Sequence, residues 1–172
     1  MKEEVSKSQQ GESKIFSSKE GGMKIALASD HAGYELKMGV AAYLAKKGIE
    51  FTDFGCGPSE QVDYVDYGIV AAEKVSSGEY ERAMLFCGTG MGMAVVANKF
   101  RGIRATPCWD EFTAEVSRSH NNSNCLALGG RILSLDEALP IVHIWLETAF
   151  GGGRHQRRIE KILEIEKKNF KS

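Results

Sequence analysis

The sequence predicts an α/β fold, a three-layer sandwich in which helices cover both faces of a five-stranded parallel sheet. Short apolar runs alternate along the chain with longer stretches in which apolar residues recur at helical spacing. The run AMLFC at 83–87 is wholly apolar, as expected for a central strand that is buried on both faces. Because a single helix joins each predicted strand to the next, the crossovers are right-handed and the sheet is parallel and Rossmann-like.

The predicted strands and helices alternate from Met23 onwards. KIALAS at 24–29 is typical of a buried strand, and Gly48 stops the helix that follows it. Strands are predicted at 24–29, 49–55, 83–87, 102–106 and 125–130. Helices are predicted at 33–47, 64–77, from the glycine-rich segment to about 98, at 110–118, at 134–148, and from about 154.

The chain divides into a polar leader and one domain. Residues 1–22 are rich in Ser, Lys, Glu and Gln, so we expect a disordered leader with almost nothing to bury. Residues 23–172 form a single predicted domain, and 42% of all residues are hydrophobic, which is enough for a core. No apolar run resembles a signal core or a membrane span, and we therefore expect a cytoplasmic protein without membrane contact.

Charge and cysteine content narrow the classes of function further. With 22 basic and 23 acidic residues, the net charge of −1 gives no general attraction to nucleic acid. The cysteines form no C-x-x-C pair and the histidines lack zinc-ligand spacing, which predicts reduced thiols and no metal. We expect Cys56, Cys108 and Cys125 to be small buried hydrophobic residues.

A glycine-rich segment, CGTGMGMAVVAN, occupies 87–98 and follows the predicted central strand. Met93 stands where a G-x-G-x-x-G motif needs its third glycine, and no P-loop ending is present, so a nucleotide cofactor is disfavoured. Alternating glycines leave backbone N–H groups accessible at the start of a helix, which predicts a cradle for an anion or oxyanion. The alternative is a tight turn that needs glycine only for packing.

The carboxyl ends of the strands select candidate site residues, because ligands bind at that edge of a parallel sheet. Asp30 and His31 follow the first strand, Cys87 ends the third, and Arg131 follows the fifth. Cys87 points into a helix N-terminus, a placement that lowers the pKa of a cysteine and suits a base for a proton beside a carbonyl. The sequence supports equally a cysteine that is merely buried in an apolar strand.

The last predicted helix begins with the basic run RHQRR at 154–158. Positive charge at a helix N-terminus opposes the macrodipole unless an anion binds there, so the run predicts a phosphate site. A solvated basic turn is the alternative, and a nucleic-acid patch is disfavoured because no aromatic residues interleave. The apolar stripe that follows predicts that this helix packs on a partner subunit.

A polar hexad, SHNNSN at 119–124, precedes the fifth predicted strand. His120 is suited to acid or base catalysis near neutral pH, although the hexad also fits a simple turn. Because it precedes its strand, His120 is expected at the edge of the sheet opposite Cys87. We therefore predict a homodimer whose sites are shared across the interface.

Taken together, these segments resemble the type B ribose-5-phosphate isomerases and their galactose-6-phosphate isomerase relatives. The resemblance covers nearly all of residues 23–168. The matching segments are ASDHAG (28–33), VDYVDY (62–67), CGTGMGM (87–93), ANKFRGIRA (97–105), SHNNSN (119–124), GGR (129–131) and GGGRHQRRI (151–159).

The resemblance implies an aldose–ketose isomerase that interconverts D-ribose 5-phosphate and D-ribulose 5-phosphate without a cofactor. Cys87 would shuttle a proton between C1 and C2 while residues 88–92 hold the enediolate oxygens. His120, helped by Asp30, would open the sugar ring, and Thr89 would also take part in catalysis. A family subgroup lacks this cysteine and uses a glutamate at the position of Met91, so this chain resembles the cysteine users.

The resemblance also implies how the substrate binds. His31, Arg154 and Arg158 would hold the phosphate, with Arg131 assisting. The implied substrate-binding residues are Asp30, His31, Tyr64, Gly88, Thr89, Gly90, Met91, Gly92, Asn121, Arg131, Arg154 and Arg158. The implied assembly is a homodimer or a dimer of dimers. An isomerase of allose or galactose 6-phosphate and a non-catalytic sugar-phosphate binding module remain the alternatives.

Overall fold

The structure, a computed structural model, describes residues 22–170 of the chain. The leader predicted for residues 1–22 therefore lies outside the described residues, apart from Gly22. The strands are β1 (Lys24–Ser29), β2 (Glu50–Asp53), β3 (Arg82–Cys87), β4 (Ala105–Pro107) and β5 (Cys125–Gly129). The helices are α1 (Tyr34–Lys46), α2 (Tyr64–Ser76), α3 (Met91–Ala97), α4 (Glu111–Ser119), α5 (Leu135–Glu147) and α6 (Arg154–Asn169).

All five strands form one parallel sheet in the order β2-β1-β3-β5-β4, which confirms the predicted fold class. The chain moves from β1 outward to β2 and then returns to the other side of β1 to form β3. The order of the strands therefore reverses between β1 and β3. In open α/β sheets such a reversal leaves a crevice at the carboxyl ends of the two strands.

The two faces of the sheet carry different side chains. Along β3, Met84 and Phe86 belong to one buried cluster, whereas Leu85 and Cys87 belong to the other. The first cluster contains large residues of α1 and α5, including Trp145. The second cluster is rich in alanine and is covered by α2 and α3. Small side chains on that face let α3, which begins beside the cleft, lie close to the sheet.

Strand β4 begins at Ala105, three residues after the predicted start of that strand. Gly102 adopts a left-handed φ of +77°, and its carbonyl accepts a hydrogen bond from the Asn124 side chain at 2.8 Å. The amide of Arg104 donates to the same asparagine, also at 2.8 Å. Residues 102–104 are thus tied to Asn124 through its side chain, and the carbonyl of Arg104 also accepts a hydrogen bond from the Asn124 amide at 3.2 Å. Within the described residues, no helix is both long and apolar enough to span a membrane.

A buried ion pair ties α1 to the end of β2. Lys37 is fully buried, and its ammonium lies 2.8 and 2.7 Å from the two carboxylate oxygens of Asp53. The same carboxylate accepts a hydrogen bond from the amide of Gly55 at 2.8 Å. This pair fixes the start of the loop at 54–63, which returns along the sheet edge to the start of α2.

We expect Asp53→Ala to lower the free energy of unfolding by about 3 kcal/mol, because it leaves the Lys37 ammonium buried without a counter-charge. Urea denaturation measures this loss. The control is Glu50→Ala in the same strand, whose pair with Lys24 is exposed and 3.7 Å long. That control is expected to lose less than about 1 kcal/mol. Equal losses in the two variants would contradict the structural importance of the buried pair.

Candidate active site

An open cleft of about 420 Å³ lies at the carboxyl ends of β1, β3 and β5. The ends of these three strands, the glycine-rich loop after β3 and the start of α2 form its walls. Its lining residues are Asp30, His31, Ala32, Tyr64, Cys87, Gly88, Thr89, Gly92 and Arg131. The cleft thus coincides with the point where the order of the strands reverses.

Cys87 differs from the other three cysteines in what its sulfur faces. Its Sγ atom accepts a hydrogen bond from the amide of Gly90 at 3.1 Å and borders the cleft. All four thiols are free. Burial raises the pKa of the thiols of Cys56, Cys108 and Cys125, that of Cys125 to about 12. These three cysteines are buried, as the sequence predicts. Of the four cysteines, only Cys87 lines the cleft.

The glycine-rich loop packs so tightly that larger residues do not fit. Gly90 adopts a left-handed φ of +80°, and a Cβ atom there would lie 3.1 Å from the backbone of Ala127 and Leu128. A Cβ atom at Gly92 would lie 2.7 Å from the ring of Tyr64. The glycines therefore serve packing and also keep the floor of the cleft free of side chains. The packing interpretation of the alternating glycines is thus supported, whereas the anion cradle stays a prediction.

The loop residues between these glycines have different environments. The hydroxyl of Thr89 accepts a hydrogen bond from the amide of Met91 at 3.3 Å, which fixes the first turn of α3. Thr89 also lines the cleft. The Met91 side chain is 53% exposed, so it projects into solvent beside the cleft and leaves the helix start open.

Asp30 and His31 form the wall opposite the loop. Asp30 is buried, and its Oδ1 atom accepts a hydrogen bond from the amide of Gly33 at 2.9 Å. The amide of Asp30 donates to the carbonyl of Phe86 at 3.2 Å, which joins the two strand ends. His31 is exposed, and the backbone N and O atoms of Val62 lie 3.3 and 3.2 Å from its Nδ1 atom. The 54–63 loop thus holds the imidazole at the rim.

Arg131 supplies positive charge to the cleft. Its amide donates to the carbonyl of Gly88 at 3.0 Å. A Cβ atom at Gly88 would lie 3.3 Å from the Nη1 atom of Arg131, so the guanidinium extends over the glycine-rich loop. An anionic group bound in the cleft would meet this cation.

Four further predicted residues, His120, Asn121, Arg154 and Arg158, lie where α6 begins against the end of α4. Together with His155 they form a group that we call the histidine cluster. The rings of His120 and His155 stack with their centroids 4.1 Å apart and their planes 9° from parallel. The amide of Gly151 donates to the carbonyl of Ser119 at 2.9 Å and anchors the turn into α6.

The histidine cluster and the cleft lie at opposite edges of the sheet within one chain. Cys87 pairs with Gly129 at the carboxyl end of β5, whereas Cys125 pairs with Ala83 at its start. Four residues of strand separate these ends by about 13 Å, and His120 precedes Cys125. The structure therefore brings Asp30, His31, Tyr64, Cys87, residues 88–92 and Arg131 together. It does not bring His120, Asn121, Arg154 or Arg158 to them in the same chain.

His155 belongs to the basic run at 154–158, and no separate role in the predicted site was assigned to it from the sequence. It is buried, whereas its neighbours Arg154 and Gln156 are exposed. Burial is the largest effect that lowers the pKa of His155, and the charges of His120, Arg154 and Arg158 lower it further. Spacing in the sequence could have indicated this burial, because His155 lies four residues before the apolar, buried Ile159 and therefore on the same face of α6.

The described residues contain no set of side chains that would bind a metal ion. Among residues 22–170, no group of three or more His, Cys, Asp or Glu side chains is arranged to hold a metal ion. The reactive groups that line the cleft are the thiol of Cys87, the carboxylate of Asp30, the imidazole of His31 and the loop amides.

Comparison with known proteins agrees with this architecture. A family model described as Ribose/Galactose Isomerase matches residues 25–162. Ribose-5-phosphate isomerase B of Escherichia coli (strain K12) is 44% identical over 145 residues, which cover 84% of this chain and 97% of that protein. D-erythrulose-4-phosphate isomerase of Pectobacterium atrosepticum is 38% identical over 141 residues, which cover 81% and 93% of the two chains.

Solved structures show the same similarity in three dimensions. The structure of ribose-5-phosphate isomerase B from Clostridium thermocellum superposes with a TM-score of 0.83 at 52% identity. The match covers 85% of this chain and 99% of that one. With the matched family model, the sequence relatives and the shared fold in agreement, this chain belongs to the ribose/galactose isomerase family and is an aldose–ketose isomerase.

Proposed function

We propose that this chain interconverts D-ribose 5-phosphate and D-ribulose 5-phosphate through an enediolate, with Cys87 as the base. The main support is the position of Cys87, whose sulfur borders the cleft and accepts the Gly90 amide at 3.1 Å. The E. coli relative bears the name of this activity and matches over almost its full length. The other cysteines lie in the core, so Cys87 is the thiol that a substrate in the cleft would reach.

The proposed reaction moves one proton between carbons and one between oxygens. Cys87 removes the C2 proton of the aldose to leave an enediolate and returns it to C1, while the O2 hydroxyl proton passes to O1, which gives the ketose. Negative charge develops on the oxygens of the enediolate, where backbone N–H groups of the loop at 88–92 and the Arg131 guanidinium would stabilise it. Thr89 lines the same wall and fixes the start of α3, which keeps these groups in place.

Ring opening needs further groups, because an aldopentose 5-phosphate closes into a five-membered ring. The carboxylate of Asp30 uses Oδ1 to accept the Gly33 amide, which leaves Oδ2 for a sugar hydroxyl. We assign the proton transfer at the ring oxygen to His120, whose imidazole is exposed at the end of α4. Tyr64 packs against Gly92 and would form the side wall along the sugar.

The phosphate site and the ring-opening acid have to come from a second subunit, because the histidine cluster lies at the opposite edge of its own sheet. We propose a homodimer in which His120, Asn121, Arg154 and Arg158 of each chain complete the cleft of the other. His31 and Arg131 would then meet the phosphate from the cleft side. This arrangement places cations on both sides of a dianion, which binds it without a metal.

Exposed apolar side chains support such an assembly. Met91 and Val95 on α3 are 53% and 62% exposed, and Ile162 and Ile165 on α6 are 46% and 57% exposed. The first pair lies beside the cleft, and the second lies on the helix that begins at the histidine cluster. Contact between α3 of one chain and α6 of another would remove these side chains from water and bring the two half-sites together.

The free thiols and the proposed reaction suggest where in the cell the enzyme acts and in which pathway. Four free thiols are typical of a reducing compartment, so we propose that the enzyme is cytoplasmic. Interconversion of the two pentose phosphates would place it in the non-oxidative branch of the pentose phosphate pathway.

A second candidate function is isomerisation of another sugar phosphate in the same cleft. The relative named D-erythrulose-4-phosphate isomerase, 38% identical, favours this candidate. The cleft is open, and none of its lining side chains clearly limits the length of the sugar that binds. Turnover of erythrose 4-phosphate and allose 6-phosphate beside ribose 5-phosphate distinguishes the candidates.

We expect Cys87→Ala to lower kcat for ribose 5-phosphate by at least about 100-fold, because it removes the base. The assay follows ketose formation with EDTA present throughout. Cys108→Ala serves as the matched control, since its thiol is buried in the core and borders neither half-site. A Cys87→Ala enzyme as fast as the wild type would refute the thiolate mechanism. A wild type inactive on all three sugars would favour a binding module.

We expect a heterodimer of Cys87→Ala and His120→Ala chains to recover about half of the wild-type kcat per dimer. One of its two sites combines a native Cys87 with a native His120, whereas the other lacks both groups. Co-expression with two different affinity tags allows the heterodimer to be purified and assayed beside each parent homodimer. Activity no higher than that of the parents, or a fully active monomeric wild type, would exclude the shared site.

A further inference from the structure

The ring of His155 stacks on that of His120, and the proposed reaction gives His155 no role. His155 does not line the cleft of its own chain, yet the residue is only 9% exposed within a helical turn whose other members are exposed. Its face lies against His120 at a centroid distance of 4.1 Å, with 9° between the planes. A buried imidazole parallel to an exposed one is a defined geometry rather than a solvated basic turn.

The hydrogen-bonding atoms of His155 favour its neutral form. Its Nε2 atom accepts from the Nε–H of Arg154 at 3.4 Å, and an accepting nitrogen carries no proton. Its Nδ1 atom is buried and has no hydrogen-bond partner among the described residues. A second proton on Nε2 would make the ring an imidazolium and would turn this acceptor into a donor that faces the Nε–H of Arg154. The hydrogen bond to Arg154 would then be lost, and the new N–H would have no acceptor.

The charges around His155 act in the same direction. Its own helix contributes Arg154 and Arg158, and the end of α4 contributes His120; within residues 22–170 these are the charges that act on the ring, and none is a carboxylate. Two stacked imidazolium rings would repel each other strongly at 4.1 Å. Burial and these neighbouring charges therefore both disfavour the imidazolium form of His155.

We propose that His155 is a positioning residue for ring opening, a neutral platform that holds the His120 ring in one orientation and takes no proton itself. This inference rests on the proposed function, in which His120 transfers the proton at the ring oxygen. Stacking fixes the plane of the imidazole, so the nitrogen that meets the substrate stays aligned with it. The exposed end of α4 offers His120 no other aromatic contact among the described residues.

The first test compares His155→Ala, which removes the ring, with His155→Phe, which keeps a flat face but cannot ionise. We expect His155→Ala to lower kcat for ribose 5-phosphate at least about 10-fold, with KM changed less than about 3-fold. His155→Phe should recover kcat to within about 3-fold of the wild type. Gln156→Ala, on the exposed side of the same turn, is the control. Equal losses in both His155 variants would overturn the stacking role.

Erythrose 4-phosphate separates ring opening from proton transfer, because its phosphate occupies the oxygen that would close a five-membered ring. If the wild type turns it over, His155→Ala should leave that rate within about 3-fold, whereas a general structural defect would lower the rates on both sugars alike. A wild type without activity on any sugar would instead defeat the proposed function, and the two measurements that follow still decide the state of His155.

Both of these measurements need no substrate. In ¹⁵N imidazole spectra, His155 should stay neutral as the pH falls through about 6.5, where the imidazole of an unfolded chain takes up its proton. Native His155 binds a proton less readily than the unfolded chain, so the free energy of unfolding falls as the pH drops below about 6.5. The urea midpoint should therefore fall more between pH 7.5 and 5.5 in the wild type than in His155→Phe. A His155 that takes up its proton at about pH 6.5 or above, or an identical loss in both proteins, would overturn the neutral platform.

Discussion

Direct contact between backbone segments at the carboxyl ends of β1, β3 and β5 is the constraint on which the cleft depends. A Cβ atom at Gly33 would lie 2.4 Å from the backbone of Phe86, and one at Gly130 would lie 2.4 Å from the carbonyl oxygen of Ala32. One at Gly129 would lie 2.8 Å from the backbone of Thr89. Glycine at these positions lets three strand ends meet at van der Waals distance. The thiol, the carboxylate and the loop amides consequently occupy one small volume, which a less compact edge would spread apart.

Most of the fold and about half of the site could be predicted from the sequence, and the physical reasons differ. Parallel strands that are buried on both faces leave apolar runs, so all five strands were found in order, and the strand-end rule selected Asp30, His31, Cys87 and Arg131. The start of β4 was placed too early because a side chain 20 residues further along, Asn124, holds the amide of Arg104. Such a long-range contact leaves no local pattern. Spacing along α6 pairs His155 with the buried Ile159, but its contact with His120 depends on how residues 151–153 fold back onto α4.

The proposed chemistry is divided between two edges of the same sheet. The cleft edge holds the base, the groups that stabilise the enediolate, and a carboxylate. The other edge holds the histidine cluster, with its acid and two arginines. In the proposed dimer, neither edge is competent alone, so folding of one chain would not create an active enzyme.

The short glycine segment before α6 has a consequence for how such enzymes diversify. Gly152 and Gly153 both have left-handed φ angles, +60° and +54°, so the chain turns sharply between the end of α5 and Arg154. Only the first turn of α6 belongs to the histidine cluster, whereas Ile162 and Ile165 face outward further along. In the proposed assembly, drift in the later turns would therefore change which surfaces associate, and how many copies assemble, while the first turn keeps the residues of the histidine cluster.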